Sequence, residues 1–431
     1  MIKFKKFIFY QITDRSKVDS LKSKKNLTSE NFLFEYDYIV CKIFEQPKLD
    51  NLNKVRDPII LEGVREWCSI RENIWYNIYR INYKYIHILS LIFIKNFSTH
   101  LLFHWQLLLI SMSTLSRSIA DGAEFVGRLN ITFRIVHNIS HGGYGAVYEV
   151  TSSRDDGRYA LKLEQRQYTR DHYKLMMEVQ VLREAGERPE NARKHFPTLI
   201  DNSDPMPNHM FLVMSLLGRS LADIKRGRQH KIFSPSTGYY CAIQSLEAIR
   251  DLHDLGYVHR DIKPGNFVIG LPRTQFQNIV YMVDFGIARK FIGADGRIRN
   301  PRDRTKFKGT VRFASLSMHE GNEVGRKDDC ESWIYMIIDL IDQERLPWHN
   351  VEDKRRLRKL KAEALKAPRS LFKREEEDDL RGIITYLQSL HYVDIVDYSW
   401  MREMVKRVAK RLGCTLQEPY DWQLTPTTTS T

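Results

Sequence analysis

Nine consecutive residues combine an acid, a base and an amide: His259-Arg260-Asp261-Ile262-Lys263-Pro264-Gly265-Asn266-Phe267. Eighteen residues beyond Asn266 comes Asp284-Phe285-Gly286, directly after the apolar run Val280-Tyr281-Met282-Val283. In this pattern Asp261 can accept a hydroxyl proton, and Lys263 beside it can neutralise a moving phosphoryl group. Asn266, five residues after Asp261, can ligate Mg²⁺. An Asp that ends a buried strand is a natural ligand for a hard cation. The fold of this chain must therefore bring two short polar segments together around a phosphate.

Three further features extend the pattern upstream. Ile139 precedes Ser140-His141-Gly142-Gly143-Tyr144-Gly145-Ala146-Val147, which lies between two strand-like runs. Glycines there let backbone N–H groups approach phosphate oxygens. Ala160-Leu161-Lys162 alternates along the next strand, and Glu178 follows sixteen residues after Lys162 among Leu175, Val179 and Leu182. A carboxylate on an apolar helix face needs a cation, or desolvation makes it costly. Taken singly, the loop reads as an ordinary turn and each charge as a surface charge. Together they read as a nucleotide-positioning ion pair.

Hydrophobic periodicity divides the region from 127 to 422 into two lobes, 127–218 and 219–422. Short alternating runs dominate the first: ITFRIVHNI, AVYEVTSS, RYALKLEQ and FLVMSLLG, with one helical pattern, HYKLMMEVQVLREA. The second is helical, with SPSTGYYCAIQSLEAIRDLHDLG, DCESWIYMIIDLIDQ, DLRGIITYLQSL and YSWMREMVKRVAKRL. The expected class is α+β: a small β-rich lobe with one long helix, then a larger helical lobe, with a ligand cleft between them. The Thr-rich tail 423–431 is too short to fold alone.

Residues 1–111 differ in kind. They contain no alanine and one glycine, Gly63, while Phe, Tyr, Ile, Lys and Asn make up 52 of the 111. Two readings are open: translated non-coding sequence with Met112 as the start, or a family-specific extension. Within this piece, 86–110 is apolar but interrupted by Lys95, Asn96, His100, His104 and Gln106, which argues against a membrane span. The N-terminal residues MIKFKKFIFYQITDR make a poor signal peptide. Lys plus Arg outnumber Asp plus Glu by 67 to 53, a formal charge of +14 that attracts phosphates and acidic partners. Five scattered cysteines with no C-x-x-C pair point to reduced thiols, hence to the cytoplasm or nucleus rather than to zinc or a disulfide frame.

These blocks, in this order, resemble the protein kinase set over about 127–422. Gly309-Thr310-Val311-Arg312-Phe313-Ala314-Ser315, then Arg326-Lys327-Asp328-Asp329-Cys330-Glu331-Ser332 and Leu346-Pro347-Trp348, are similar to the casein kinase 1 group. The stretch Arg299-Asn300-Pro301-Arg302 through Phe307-Lys308-Gly309-Thr310 and the ending Tyr420-Asp421-Trp422 resemble its tau-tubulin kinase branch. The resemblance implies a two-lobed protein-kinase-like fold, ATP and Mg²⁺ as cofactors, and protein substrates, acidic or cytoskeletal. It assigns Asp261 as base or substrate orienter and Lys263 as the phosphoryl contact, with Asn266 and Asp284 as metal ligands. Lys162, paired with Glu178, would hold the α- and β-phosphates. Ile139 to Val147 would cover the nucleotide, beside Ala160. Met214 would be the gatekeeper, with Ser215, Leu216 and Leu217 as the adenine-facing hinge. Asp329 would anchor the catalytic loop.

Ser140 departs from the first glycine of the phosphate loop and supports the alternative of a kinase-fold binding module with weak turnover. Arg312 and Lys359 are implied to form an anion pocket for acidic or pre-phosphorylated substrates; the competing role for Arg312 is to brace the activation segment. Lys354-Arg355-Arg356, Arg358-Lys359 and Lys361 read as a solvated basic face, with a nuclear localisation signal or an acidic-substrate contact as the alternatives. Without aromatic interleaving or a groove-reading motif, nucleic acid is not the expected partner. A monomer is the default.

Overall fold

The computed structural model describes residues 119, 121–142, 145–165, 173–206, 209–228, 230–417 and 419–424. All of them lie in the second of two compact units, 117–431. The expectations for 1–111, including the apolar stretch and Cys41 and Cys68, lie outside the described residues, as do Gly143, Tyr144 and most of the Thr-rich tail.

Six strands form the first lobe: β1 (Glu124–Val126), β2 (Thr132–Gly142), β3 (Gly145–Ser152), β4 (Arg158–Gln165), β5 (Leu199–Asn202) and β6 (His209–Ser215). Their order is β1-β2-β3-β4-β6-β5, antiparallel throughout. Period-two alternation gives the sheet two apolar faces. On one, Phe133, Tyr148, Leu161, Leu163, Phe211 and Val213 form a core of their own. On the other, Ala160, Leu212 and Met214 join the main core, against which Val147 also packs. The register sets Val147 opposite Lys162 and Lys162 opposite Leu212, so Lys162 issues from this second face. Helix α1 (Leu175–Gly186) adds Leu175, Val179 and Leu182 to the same core, and α2 (Glu190–Arg193) is a single turn before β5.

The second lobe carries α3 (Leu221–Arg226), α4 (Pro235–Asp254), α5 (Leu316–Glu320), α6 (Arg326–Asp342), α7 (Lys354–Lys366), α8 (Asp378–Ser389) and α9 (Tyr398–Arg411). Short strands β7 (Tyr257–Val258), β8 (Phe267–Ile269), β9 (Val280–Met282) and β10 (Arg289–Lys290) frame its cleft edge. The helix starts follow local chemistry. Ser234 caps α4 through the Thr237 N–H with Pro235 in the first turn, Asp353 caps α7 through Arg356, and Asp397 caps α9 through Trp400. The acidic cluster Glu375–Asp379 sits at the start of α8, where the helix dipole favours it. At the far end, the Asp421 carboxylate accepts the Ser234 N–H at 2.7 Å, and Tyr420 stacks on Tyr240 at 4.0 Å. Cys241 and Cys330 are buried free thiols. Among the described residues no helix is long and apolar enough to cross a membrane.

Candidate active site

Lys162 reaches from β4 to two carboxylates. Its Nζ lies 2.6 Å from Glu178 Oε2 on α1 and 2.9 Å from Asp284 Oδ1 after β9. Burial works against the ammonium, but Glu178 and Asp284 outweigh it and hold the lysine above its ordinary range. Lys162 in turn holds the Asp284 carboxyl down to about 2. Asp284 sits at φ 68°, a left-handed position that turns it back toward the cleft. Phe285 next to it is fully buried between the Phe196 and His259 rings, at 5.8 and 5.6 Å.

Across the cleft, Asp261 is held from three sides. Lys263 Nζ donates to its Oδ2 at 2.7 Å, and the Thr310 hydroxyl donates to its Oδ1 at 2.7 Å. Asn266 Nδ2 donates to the Asp261 carbonyl at 2.8 Å, which turns the amide oxygen into the side chain's available acceptor. Lys263 Nζ also reaches Thr310 Oγ1 at 3.2 Å. Gly309 makes this possible: it lies at φ 82°, and a Cβ there would sit 2.4 Å from the Arg260 carbonyl.

Below the loop, the Asp329 carboxylate accepts the backbone N–H of His259 at 2.6 Å and of Arg260 at 2.9 Å, and lies 3.0 Å from His253 Nε2. Burial would raise this carboxyl, but His253 and the backbone donors keep it below its ordinary value. Between the two halves lies a cleft of about 460 Å³, lined by Lys162, Glu178, Asp261, Lys263, Asp284 and Thr310. A second cavity of about 490 Å³, beside Tyr239, Arg345 and Glu377, contains none of the expected site residues.

Asp284 and Asn266 supply hard oxygen donors. Among the described residues no group of three or more His, Cys, Asp or Glu could cage a metal. That donor set suits a cation held by one carboxylate, an amide and the phosphates of a nucleotide.

Comparison with known proteins agrees with this geometry. A family model described as protein kinase domain matches residues 133–415. The chain belongs to the protein kinase family. It is 33% identical over 272 residues to a Caenorhabditis elegans protein named as a serine/threonine-protein kinase, covering 62% of this chain and 79% of that protein. A Dictyostelium discoideum protein with the same kind of name is 30% identical over 305 residues, covering 71% of this chain and 58% of that protein. A C. elegans protein named as a casein kinase I is 30% identical over 311 residues, covering 71% of this chain and 86% of that protein. Membership of the family carries with it ATP, a divalent cation and protein substrates.

For this kinase the remaining expected residues fall as follows. Ile139, Ser140 and His141 lie exposed on β2, and Gly142 pairs with Gly145 across the hairpin. Gly145 has φ 157°, and a Cβ would lie 2.0 Å from the Leu163 carbonyl. Ala146 turns to the outer core, away from the cleft face that Val147, Ala160 and Met214 share. Leu216 and Leu217 are half-buried just past β6, where Ser215 is fastened to Thr198.

Ser140 pairs in the ladder with Val147 and has no left-handed φ, so its position does not require glycine. Ser140→Gly is therefore expected to shift KM for ATP only a few-fold, because the glycine penalty is about 0.5–1 kcal/mol. A tenfold or larger fall in KM would show that serine obstructs the loop.

The expected anion pair does not assemble as such. Arg312 turns inward to an ion pair with buried Asp339, which also accepts Lys225, and donates to the His349 carbonyl at 3.4 Å. Lys359 projects from α7 with its side chain 79% exposed and lies 3.9 Å from Glu363 one turn on. The geometry favours bracing for Arg312, because a guanidinium paired with the buried Asp339 carboxylate is turned into the lobe and away from a substrate phosphate. Arg312→Ala is expected to reduce kcat equally on acidic and neutral peptides. A selective rise in KM for acidic peptides would restore the anion role.

Lys361 departs further from expectation: it is fully buried rather than part of a solvated face. Two other features lay beyond sequence reasoning. Thr310 touches the Asp261 carboxylate, and Glu323 gathers Arg302 at 2.5 Å and Arg289 at 3.5 Å beside Arg260. Each joins segments far apart in the chain, and no local pattern signals them.

Proposed function

We propose that this chain is a serine/threonine kinase of the casein kinase 1 group, resembling its tau-tubulin kinase-like branch. It would transfer the γ-phosphoryl of ATP, with Mg²⁺, to protein hydroxyls. The observation that carries the reading is the closed set Lys162–Glu178–Asp284 facing Asp261–Lys263–Thr310 across one cleft. The names of its relatives support the serine/threonine assignment.

In this reading the adenine lies between Val147, Ala160, Met214, Leu216 and Leu217. Residues 139–142 and Gly145 cover the phosphates, and Lys162 holds the α- and β-phosphates. Asp284 and Asn266 would hold Mg²⁺, which when bound neutralises charge on the phosphate oxygens. Asp261 orients the substrate hydroxyl and takes its proton as the oxygen–phosphorus bond forms. The bond from the γ-phosphorus to its bridging oxygen breaks, and ADP leaves with the electron pair. Lys263 offsets charge on the moving group. Positioning and fixed charge supply the catalysis.

Exposed Lys354, Arg355, Arg356, Arg358 and Lys359 on α7 support a preference for acidic substrates. The free thiols support a reducing compartment, the cytoplasm or nucleus. The test is transfer of labelled γ-phosphate by the purified full chain to casein and tubulin with Mg²⁺. Incorporation on serine or threonine is the expected result. Labelling no greater than that of a Lys162→Met variant would favour the binding-module alternative.

A further inference from the structure

The buried stripe of α7 consists of Leu357, Lys361, Ala364 and Leu365. Three of these are ordinary core residues, so Lys361 occupies a position where an aliphatic side chain would pack. Burying an ammonium is costly unless its donors are met. Here they are met by one short stretch of backbone. Lys361 Nζ donates to the Ala314 carbonyl and, at 3.3 Å, to the Val311 carbonyl. It also lies 4.7 Å from the Tyr335 ring centroid and 5.3 Å from that of Trp348, both favourable for a cation.

The neighbours complete the arrangement. His319 Nε2 on α5 lies 3.1 Å from the Val311 carbonyl, and the Trp348 indole donates to the Arg312 carbonyl at 2.9 Å. The carbonyls of Val311, Arg312 and Ala314 are thus held from behind by α5, α7 and the turn before α7. This segment starts at Thr310, whose hydroxyl is on Asp261. A peptide that presents a hydroxyl to Asp261 must run past residues 311–314.

We infer that Lys361 is a positioning residue for the protein substrate: from inside the lobe it shapes segment 311–314, without touching substrate or nucleotide. The inference rests on the kinase reading above.

Charge enters as well. Burial pushes Lys361 down to about 7, against the pull of Glu331. The titratable groups around it are Glu331, Tyr335 and Asp328 of α6, His319 of α5, and Lys354 and Arg358 of α7. Burial pushes His319 down to about 4, helped by Lys361, so it is neutral from pH 6 to 9. A lysine with a lowered pKa is charged below that value and loses its proton as pH rises through it. The grip on two carbonyls then loses its charge assistance.

The test is steady-state kinetics of the full chain on a neutral peptide from pH 6 to 9. Lys361→Met fills the same volume without donors. It is expected to raise peptide KM about tenfold, the scale of a buried carbonyl left unpaired, with kcat and ATP KM within about twofold. Lys361→Arg keeps the donors and should restore most of the peptide KM. Wild-type peptide KM should climb with pH, and that of Lys361→Met should stay flat. If the methionine variant does not fold, Trp348→Phe removes the indole donor to the Arg312 carbonyl, keeps an aromatic ring near Lys361, and should raise peptide KM a few-fold. Wild-type transfer with unchanged peptide KM in both variants overturns this inference alone. No transfer by the wild type overturns the kinase reading beneath it.

Discussion

Asp284→Asn is expected to abolish phosphoryl transfer and leave the fold in place. Asparagine matches aspartate in volume and tolerates the left-handed φ of 68° that this position demands. Lys162 keeps Glu178 as a partner at 2.6 Å, so no buried cation is stranded. What disappears is the negative charge that, in the proposed function, holds a cation on the nucleotide. Removing a single preorganised electrostatic contact from a catalytic centre costs about 10²–10³-fold in kcat. Loss of the carboxylate ligand should reach at least the upper end. The measurement is labelled transfer beside a thermal melt. A variant that keeps a tenth of wild-type activity would mean that Asp284 is not the metal residue, and a collapsed melt would mean that its role is structural.

Asp329→Ala is expected to give the largest loss of stability. The carboxylate is buried and satisfies two backbone N–H groups of the catalytic loop and one nitrogen of His253. His253 is in turn fixed at 2.5 Å by the Tyr398 hydroxyl of α9. Deleting one member of a buried, charge-assisted set leaves the others desolvated and unpaired, at a cost of about 3–5 kcal/mol. For a domain of this size that is a fall in Tm of about 10 °C. Activity should fall with it, because Arg260, held at φ 67°, loses the contact that fixes the loop beside Asp261. A shift of under about 2 °C would show that the loop keeps its shape without the anchor.

The two lobes were legible in the order of residues because their elements are long enough to show a period. β2, β3, β4 and β6 alternate over seven or more residues, and α1, α4, α6, α8 and α9 run for three turns or more. β1, β5, β7, β10, α2, α3 and α5 were not legible: with two to six residues each, they are too short for a period and owe their form to the neighbours they pair with or pack on. The charged residues of the cleft were also visible, for a related reason. Glu178 stands among core residues of a helix and Lys162 on an alternating strand, and a charge in such a place announces a partner.

Lys361 and Arg312 show where that logic stops. Lys361 sits inside a run of lysines and arginines that reads as a solvated face, and Arg312 in a segment that left anion contact and bracing both open. Lys361 lies i+4 from Leu357 and i−4 from Leu365, yet the spacing does not say that a lysine will follow them inward. Only packing against α6 and Trp348 closes water off from it, and only the carbonyls of Val311 and Ala314, about fifty residues earlier, make that burial tolerable. Arg312 likewise finds Asp339 through the fold rather than along the chain. The sequence by itself determined which residues bring charge to the cleft, because those side chains stand in recognisable short patterns or on otherwise apolar faces. The tertiary structure alone decided which of the other cations meet solvent and which meet a buried acceptor, because desolvation depends on what packs around a group, and those neighbours come from distant segments.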